Sequence, residues 1–219
     1  MNIDFIVKFT PMYITAMGLV LRLCFWGVLL SLVIGLFCAI VRYYKVPVLN
    51  QITGFYIELS RNTPLMIQLF FLYFALPRMG IKLESYTCAV MGLAFLGGSY
   101  MAEAFRGGLE AIGKIQIESG FSIGLSHAQL VRYIILPQAL AVALPALGAN
   151  VLFLLKETSV VSIVALADLM FVAKDLIGLY YKTNESLLML VVAYLLLLLP
   201  LSVLFRLIEK RIRYAGFGN

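Results

Sequence analysis

The run LLMLVVAYLLLLLPLSVLFRL, from Leu187 to Leu207, carries no charge before Arg206. A helix needs about 20 mostly apolar residues to cross the hydrocarbon core of a bilayer. This run supplies them, so its reading places the chain in lipid. Working outward, four more stretches have the same character: Tyr13 to Val41, Thr63 to Leu76 with a helical run-in from Leu49 to Asn62, Tyr86 to Phe105, and Ala139 to Ile163. Composition agrees. Hydrophobic residues make up 63% of the 219 and charged residues 13%, against roughly 45–50% and about 25% in soluble domains. The sequence predicts an all-α, polytopic membrane protein of about five transmembrane helices, forming one transmembrane domain over residues 1–219.

A net charge of +6 suits either nucleic acid or a membrane surface, and the placement of the cations decides between them. They flank the apolar runs, as Arg206, Lys210, Arg211 and Arg213 do in the tail, which argues for lipid headgroups and against nucleic acid. An odd number of spans puts the termini on opposite sides. Arg42, Lys45, Arg61, Arg106, Lys114, Arg132 and the tail cations fall on one side, and Lys8, Arg78, Lys82, Lys174 and Lys182 on the other. Cytoplasmic segments carry the excess of Lys and Arg, so the N-terminus is expected outside and the C-terminus inside. The first apolar run is longer than a signal-peptide core, and the first span is expected to be retained. Cys24, Cys38 and Cys88 stand singly in apolar runs, which fits packing and suggests neither disulfides nor a metal site.

The longest polar interval is GGLEAIGKIQIESGFSIGLSHAQLVRY, Gly107 to Tyr133. Ile117, Phe121, Gly124, Leu125 and Ala128 recur at helical spacing, which predicts a short amphipathic helix, or two broken near Gly124. Periodicity alone equally allows an interfacial helix lying on headgroups. Glu118, Gly124, Ile134, Leu136 and Pro137 have the spacing E-A-A-x3-G-x9-I-x-L-P. This resembles the EAA loop of ABC importer permeases, with Ser119 and Gly120 in place of the two alanines. Three other elements resemble the polar amino-acid uptake branch of that family: ELSRNTPLMIQLFFLYF from Glu58 to Phe74, SYMAEAFRGGLEAI from Ser99 to Ile112, and LPQAL followed by LLKETSVVS between Leu136 and Ser162. Asn62 replaces the usual glycine of the first, and Ile115-Gln116 replaces the usual Gly-Gln before the loop glutamate.

The resemblance implies a type I ABC importer fold in a bacterial inner membrane. Its coupling loop, about residues 114–137, would dock on an ATPase through Glu118, Ser119, Gly120, Gly124, Ile134, Leu136 and Pro137. It also implies two ATPase subunits, a second permease subunit, same or homologous, and an extracytoplasmic amino-acid-binding protein. The chain has no GxxxxGK[ST] loop, so ATP and Mg are expected on the partner and no cofactor on this chain. Glu118 is expected at the start of the coupling helix, favourably placed on its dipole. Pro137, which biases Leu136 away from helix, is expected to make a sharp corner into the fourth span.

Intramembrane polar residues are costly and therefore informative. Glu103 sits three residues before Arg106, so it either forms an i,i+3 pair or faces the path and meets the ammonium of an amino acid. Pro145 and Gly148 suggest that the fourth span is discontinuous, and Asn150 follows them, suited either to a zwitterion or to a hydrogen bond between helices. Thr63 and Gln68 open the second span, Gln68 lining the path or bonding between helices. Asp168 lies beyond the fourth span and reads by default as a solvated loop charge; resemblance to members whose permease has its own site implies it as a weaker candidate for the ligand amine. Lys156 and Glu157 are expected to pair with neighbours. No nucleophile and base are grouped, no metal cluster is apparent, and no internal repeat is found. An intramembrane enzyme and an ion-coupled secondary transporter are thus the weaker alternatives.

Overall fold

The computed structural model describes residues 1–217, with side chains through residue 212. The side chain of Arg213, counted above among the tail cations, lies outside the described residues. The helices in chain order are α1 (Ile3–Tyr43), α2 (Leu49–Arg61), α3 (Leu65–Met79), α4 (Ser85–Glu110), α5 (Lys114–Ser122), α6 (His127–Val164), α7 (Leu169–Tyr180) and α8 (Thr183–Phe217). Four of them, α1, α4, α6 and the described Thr183–Ile212 of α8, are long and apolar enough to cross a membrane.

The second crossing differs from expectation. Leu65–Met79 is a shorter apolar helix, roughly 22 Å at 1.5 Å per residue and too short for a ~30 Å core. The helical run-in α2 completes it. Tyr56 and Ser60 both donate to the carbonyl of Phe95, at 2.6 and 2.9 Å, and Phe95 lies roughly 15 Å into α4, at its middle depth. So α2 climbs to mid-membrane, stops at Arg61, and the crossing resumes at Leu65. Arg61 is therefore a mid-span residue rather than a flanking cation.

α1 and α4 run parallel along a seam of small residues. Gly27 lies against Leu93, Ser31 against Gly97, and Gly35 against Met101, an i, i+4, i+8 stripe that lets the two backbones approach. α6 runs antiparallel on the other side of α4, with Ala139 and Ala143 against Gly108 and Leu154 against Gly97. One cluster of buried side chains joins α1, α7 and α8, and another joins α1, α3, α4 and α6.

The fourth span also differs in where it is irregular. Pro145 and Gly148 lie inside a continuous α-helix, Leu136–Glu157; Gly148 is the place where Phe205 of α8 packs. The irregular parts flank it, as a π-helical turn at Val131–Ile135 and a 3₁₀ stretch at Thr158–Val164. No sharp corner forms at Pro137. Leu136 is helical, with φ −60° and ψ −46°, and its N–H reaches back to the carbonyl of Val131. The wider turn accommodates a proline that has no N–H to continue the ladder and whose ring would crowd the preceding carbonyl.

Candidate functional site: the α5 loop and the mid-membrane break

Two places gather the residues singled out from the sequence. The first is α5 with the start of α6. α5 ends in a paired turn: Leu125 N–H bonds Gly120 O at 3.1 Å and Gly124 N–H bonds Phe121 O at 2.9 Å. This Schellman arrangement needs a left-handed residue, and Gly124 supplies it at φ +87°. Ser126 and Gln129 then exchange capping-box bonds, 2.9 and 3.4 Å long, to start α6. The Ser-x-x-Gln spacing is the sequence signal for that helix start.

Gly120 is buried because Leu130 and Ile134 occupy the space a Cβ would take. Its small size thus serves packing within this chain. Ile112, Leu130, Ile135 and Ala139 form the buried cluster below, with Ile117 and Ile134 against it. On the outside, Ile115 is 78% and Ile123 77% exposed, and Glu118, Ser119, Leu136 and Pro137 are exposed too. Glu118 does not open the helix. It is the fifth residue of α5, whose N-cap is Gly113, so the dipole role fails on position alone.

The second place is the break in the second crossing. With no water in the hydrocarbon to serve them, the last carbonyls of α2 need partners, and side chains at the break provide them. Asn62 Nδ2 donates to Glu58 O at 2.8 Å, Thr63 Oγ1 to Leu59 O at 2.8 Å, and Gln68 Nε2 to Ser60 O at 3.2 Å and Thr63 O at 3.0 Å. Gln68 Oε1 is buried with no partner among the described residues.

Below the break, toward the end of α4, stands a chain of charges. Arg106 grips Glu103 through Nη2 at 2.6 Å and Nε at 3.3 Å, and reaches Glu110 through Nη1 at 2.7 Å. Arg61 adds a second cation, 4.0 Å from Glu103 and with its guanidinium 5.3 Å from the centroid of the Tyr100 ring. Asn150 Nδ2 donates to Tyr100 O at 3.1 Å, which ties α6 to α4 beside this group. Glu103 therefore has its i,i+3 partner and a second one from α2. Sequence spacing exposes the first; the second depends on the break.

Asp168 is remote from this cluster. It is fully buried, and its carboxylate caps α7 by accepting from Met170 N and Phe171 N at 3.1 and 3.0 Å. It is not a solvated loop charge. Lys156 and Glu157 form no ion pair among the described residues, and no group of His, Cys, Asp and Glu there could hold a metal ion.

Residues 31–214 match the family described as the inner membrane component of binding-protein-dependent transport systems. The glutamine transport system permease protein of Escherichia coli (strain K12) is 32% identical, over 93% of this chain and 94% of its own. The L-cystine transport system permease protein of Bacillus subtilis (strain 168) is 32% identical, over 97% and 92%. Among solved structures, an amino acid ABC transporter crystallised with histidines superposes with a TM-score of 0.89 at 33% identity, covering 96% of this chain and 99% of that one. The MetNI methionine ABC transporter, inward facing, matches in fold with a TM-score of 0.78 at 18% identity.

Proposed function

Because the chain belongs to the family of inner membrane components of binding-protein-dependent transport systems, we propose that it is the permease subunit of an ABC importer that takes up a polar amino acid. It pairs with a second permease subunit, same or homologous, receives substrate from an extracytoplasmic binding protein, and draws its energy from two ATPase subunits that hold ATP and Mg. It lies in a bacterial inner membrane with its N-terminus outside and its C-terminus inside. In that orientation α5 is on the cytoplasmic side.

One observation carries the coupling part of this reading. The unit of α5 and Gly124 exposes Ile115 and Ile123 outside the bundle, and after the turn at residues 123–126 the chain enters a helix that runs from His127 to Val164, against whose first turns Gly120 is packed through Leu130 and Ile134. A push on α5 is thereby delivered to a membrane-spanning element, and stiffness matters more here than bond strength. Glu118, Ser119, Gly124, Leu136 and Pro137 are the docking residues, while Gly120 and Ile134 hold the unit together from inside. In the membrane, Glu103, Asn150, Thr63 and Gln68 line the substrate path around the break. Glu103 meets the ammonium group, and Gln68 offers its unpartnered Oε1. Asp168 is the weaker candidate, since its oxygens are held by the cap.

The test is ATP-dependent uptake of glutamine and cystine in proteoliposomes that hold the permease, the ATPase and the binding protein. Gly124→Trp should abolish uptake and ATPase co-purification while the permease still inserts. Normal uptake by that variant would overturn the coupling role, and uptake by the permease alone down an ion gradient would overturn the ABC reading.

A further inference from the structure

On a different face of the bundle from the charge chain, a groove of about 590 Å³ opens between α1 on one side and α6 and α8 on the other. Cys24, Trp26, Leu29, Val151 and Leu201 are among its walls, and every lining residue is apolar except Arg22. Arg22 is exposed and has no ion pair or hydrogen bond among the described residues. An arginine in a spanning helix is expensive without a partner, and the transport reading gives this one nothing to do.

Its depth follows from the α1 and α4 seam. Gly27 lies against Leu93 and Gly35 against Met101, so the two helices keep step. Arg22, five residues before Gly27, is at the level of Cys88, about 5 Å from the start of α4 at Ser85. Helical side chains lean toward the N-terminus and long basic ones extend to the interface, which carries the guanidinium to headgroup depth and moves the start of the bilayer-crossing part of α1 from the expected Tyr13 to the neighbourhood of Arg22. The other end of the groove is Leu32, about 15 Å farther along α1 and thus one leaflet down in a core of about 30 Å. A cation at headgroup level stands over an apolar trough one leaflet deep.

We propose that this groove binds one anionic phospholipid of the leaflet at the N-terminal ends of α1 and α4, with its phosphate on Arg22 and an acyl chain between α1 and the Val151 and Leu201 wall. In the orientation given above this is the outer leaflet. The charge complementarity selects a lipid over a second copy of the chain, which would have to bring a carboxylate to the same depth.

Trp26 is the protein's single tryptophan and lines the groove, so it reports occupancy directly. The assembled transporter is placed in phosphatidylcholine nanodiscs with rising fractions of phosphatidylglycerol or phosphatidylcholine brominated on the acyl chain. Subtracting the emission of a Trp26→Phe complex isolates the signal. Brominated phosphatidylglycerol should quench Trp26 at about fivefold lower mole fraction than brominated phosphatidylcholine, the advantage of one basic side chain for an anionic lipid. Arg22→Gln should bring the two curves together, and Arg22→Lys should keep them apart. Equal quenching of the wild type by both lipids overturns the proposal, as does an unchanged preference in Arg22→Gln. Absence of quenching together with a cross-link from Arg22→Cys to a second permease copy assigns the groove to protein and overturns it too. If Arg22→Gln fails to assemble, the wild-type comparison decides.

Discussion

Arg61, the last residue of α2, stands 4.0 Å from the carboxylate of Glu103 on α4. The two are brought together because the second crossing breaks at mid-membrane, and a side chain at the end of a rising helix leans back down toward the charge chain. Glu103 is thereby held between a helix that ends at the break and Arg106 of its own helix. Glu103→Gln keeps the shape and removes the charge. All three side chains are partly exposed, so the stability cost should stay below about 1 kcal/mol. Uptake is expected to fall by about tenfold, the equivalent of ~1.4 kcal/mol, with normal assembly by size-exclusion chromatography. Unchanged uptake kinetics would leave Glu103 a structural partner only.

Gly124 tests conformation apart from bulk. A Cβ there would meet nothing within 4 Å, but φ is +87°. Gly124→Asn, which tolerates the left-handed region, should keep most ATP-dependent uptake. Gly124→Val should lose it, because a β-branched residue there is strained by at least 1–2 kcal/mol by the handedness argument. Equal activity of the two variants would contradict a requirement for this turn.

Gly120 is constrained by packing alone, since its Cβ position is taken by Leu130 and Ile134. Gly120→Val should overpack that contact at a cost of about 1–3 kcal/mol, displacing α5 from the end of α6. ATPase activity of the complex would then lose its stimulation by the binding protein, while Gln116→Ala, at an exposed position of α5 outside the docking residues, would not. Retained stimulation in Gly120→Val would show that α5 need not be held by this contact.

The spans with long apolar runs are legible in the sequence because hydropathy reads length and polarity, and 187–207 has both. The second crossing is less so. Asn50, Gln51, Glu58 and Arg61 lower the hydropathy of α2, so its insertion to the depth of Phe95 is visible only once Tyr56 and Ser60 are seen to bond there. Pro64 reads equally as the start of a span or as a break inside one. Pro145 misleads in the opposite sense, because an interior proline is tolerated where neighbouring helices hold the segment. At the loop, Gly124 is legible from spacing, whereas the partner of Gly120 is a tertiary contact from the following helix that no local pattern announces.

The break itself can be tested at Gln68. Its amide donates to Ser60 O in the last turn of α2 and to Thr63 O in the break itself, bridging the two. Gln68→Leu would leave those carbonyls without it at a cost of about 1–3 kcal/mol, lowering the melting temperature of the complex. Gln68→Glu, ionised, keeps the shape but turns the donor into an acceptor facing two carbonyls, and should be at least as destabilising. Gln68→His retains a ring N–H and should recover part of the loss. The melting temperature of the detergent-solubilised complex, followed alongside uptake, separates the roles. A variant that melts normally yet transports poorly would assign Gln68 to the path through its unpartnered Oε1, and one that loses both in proportion would assign it to the bridge.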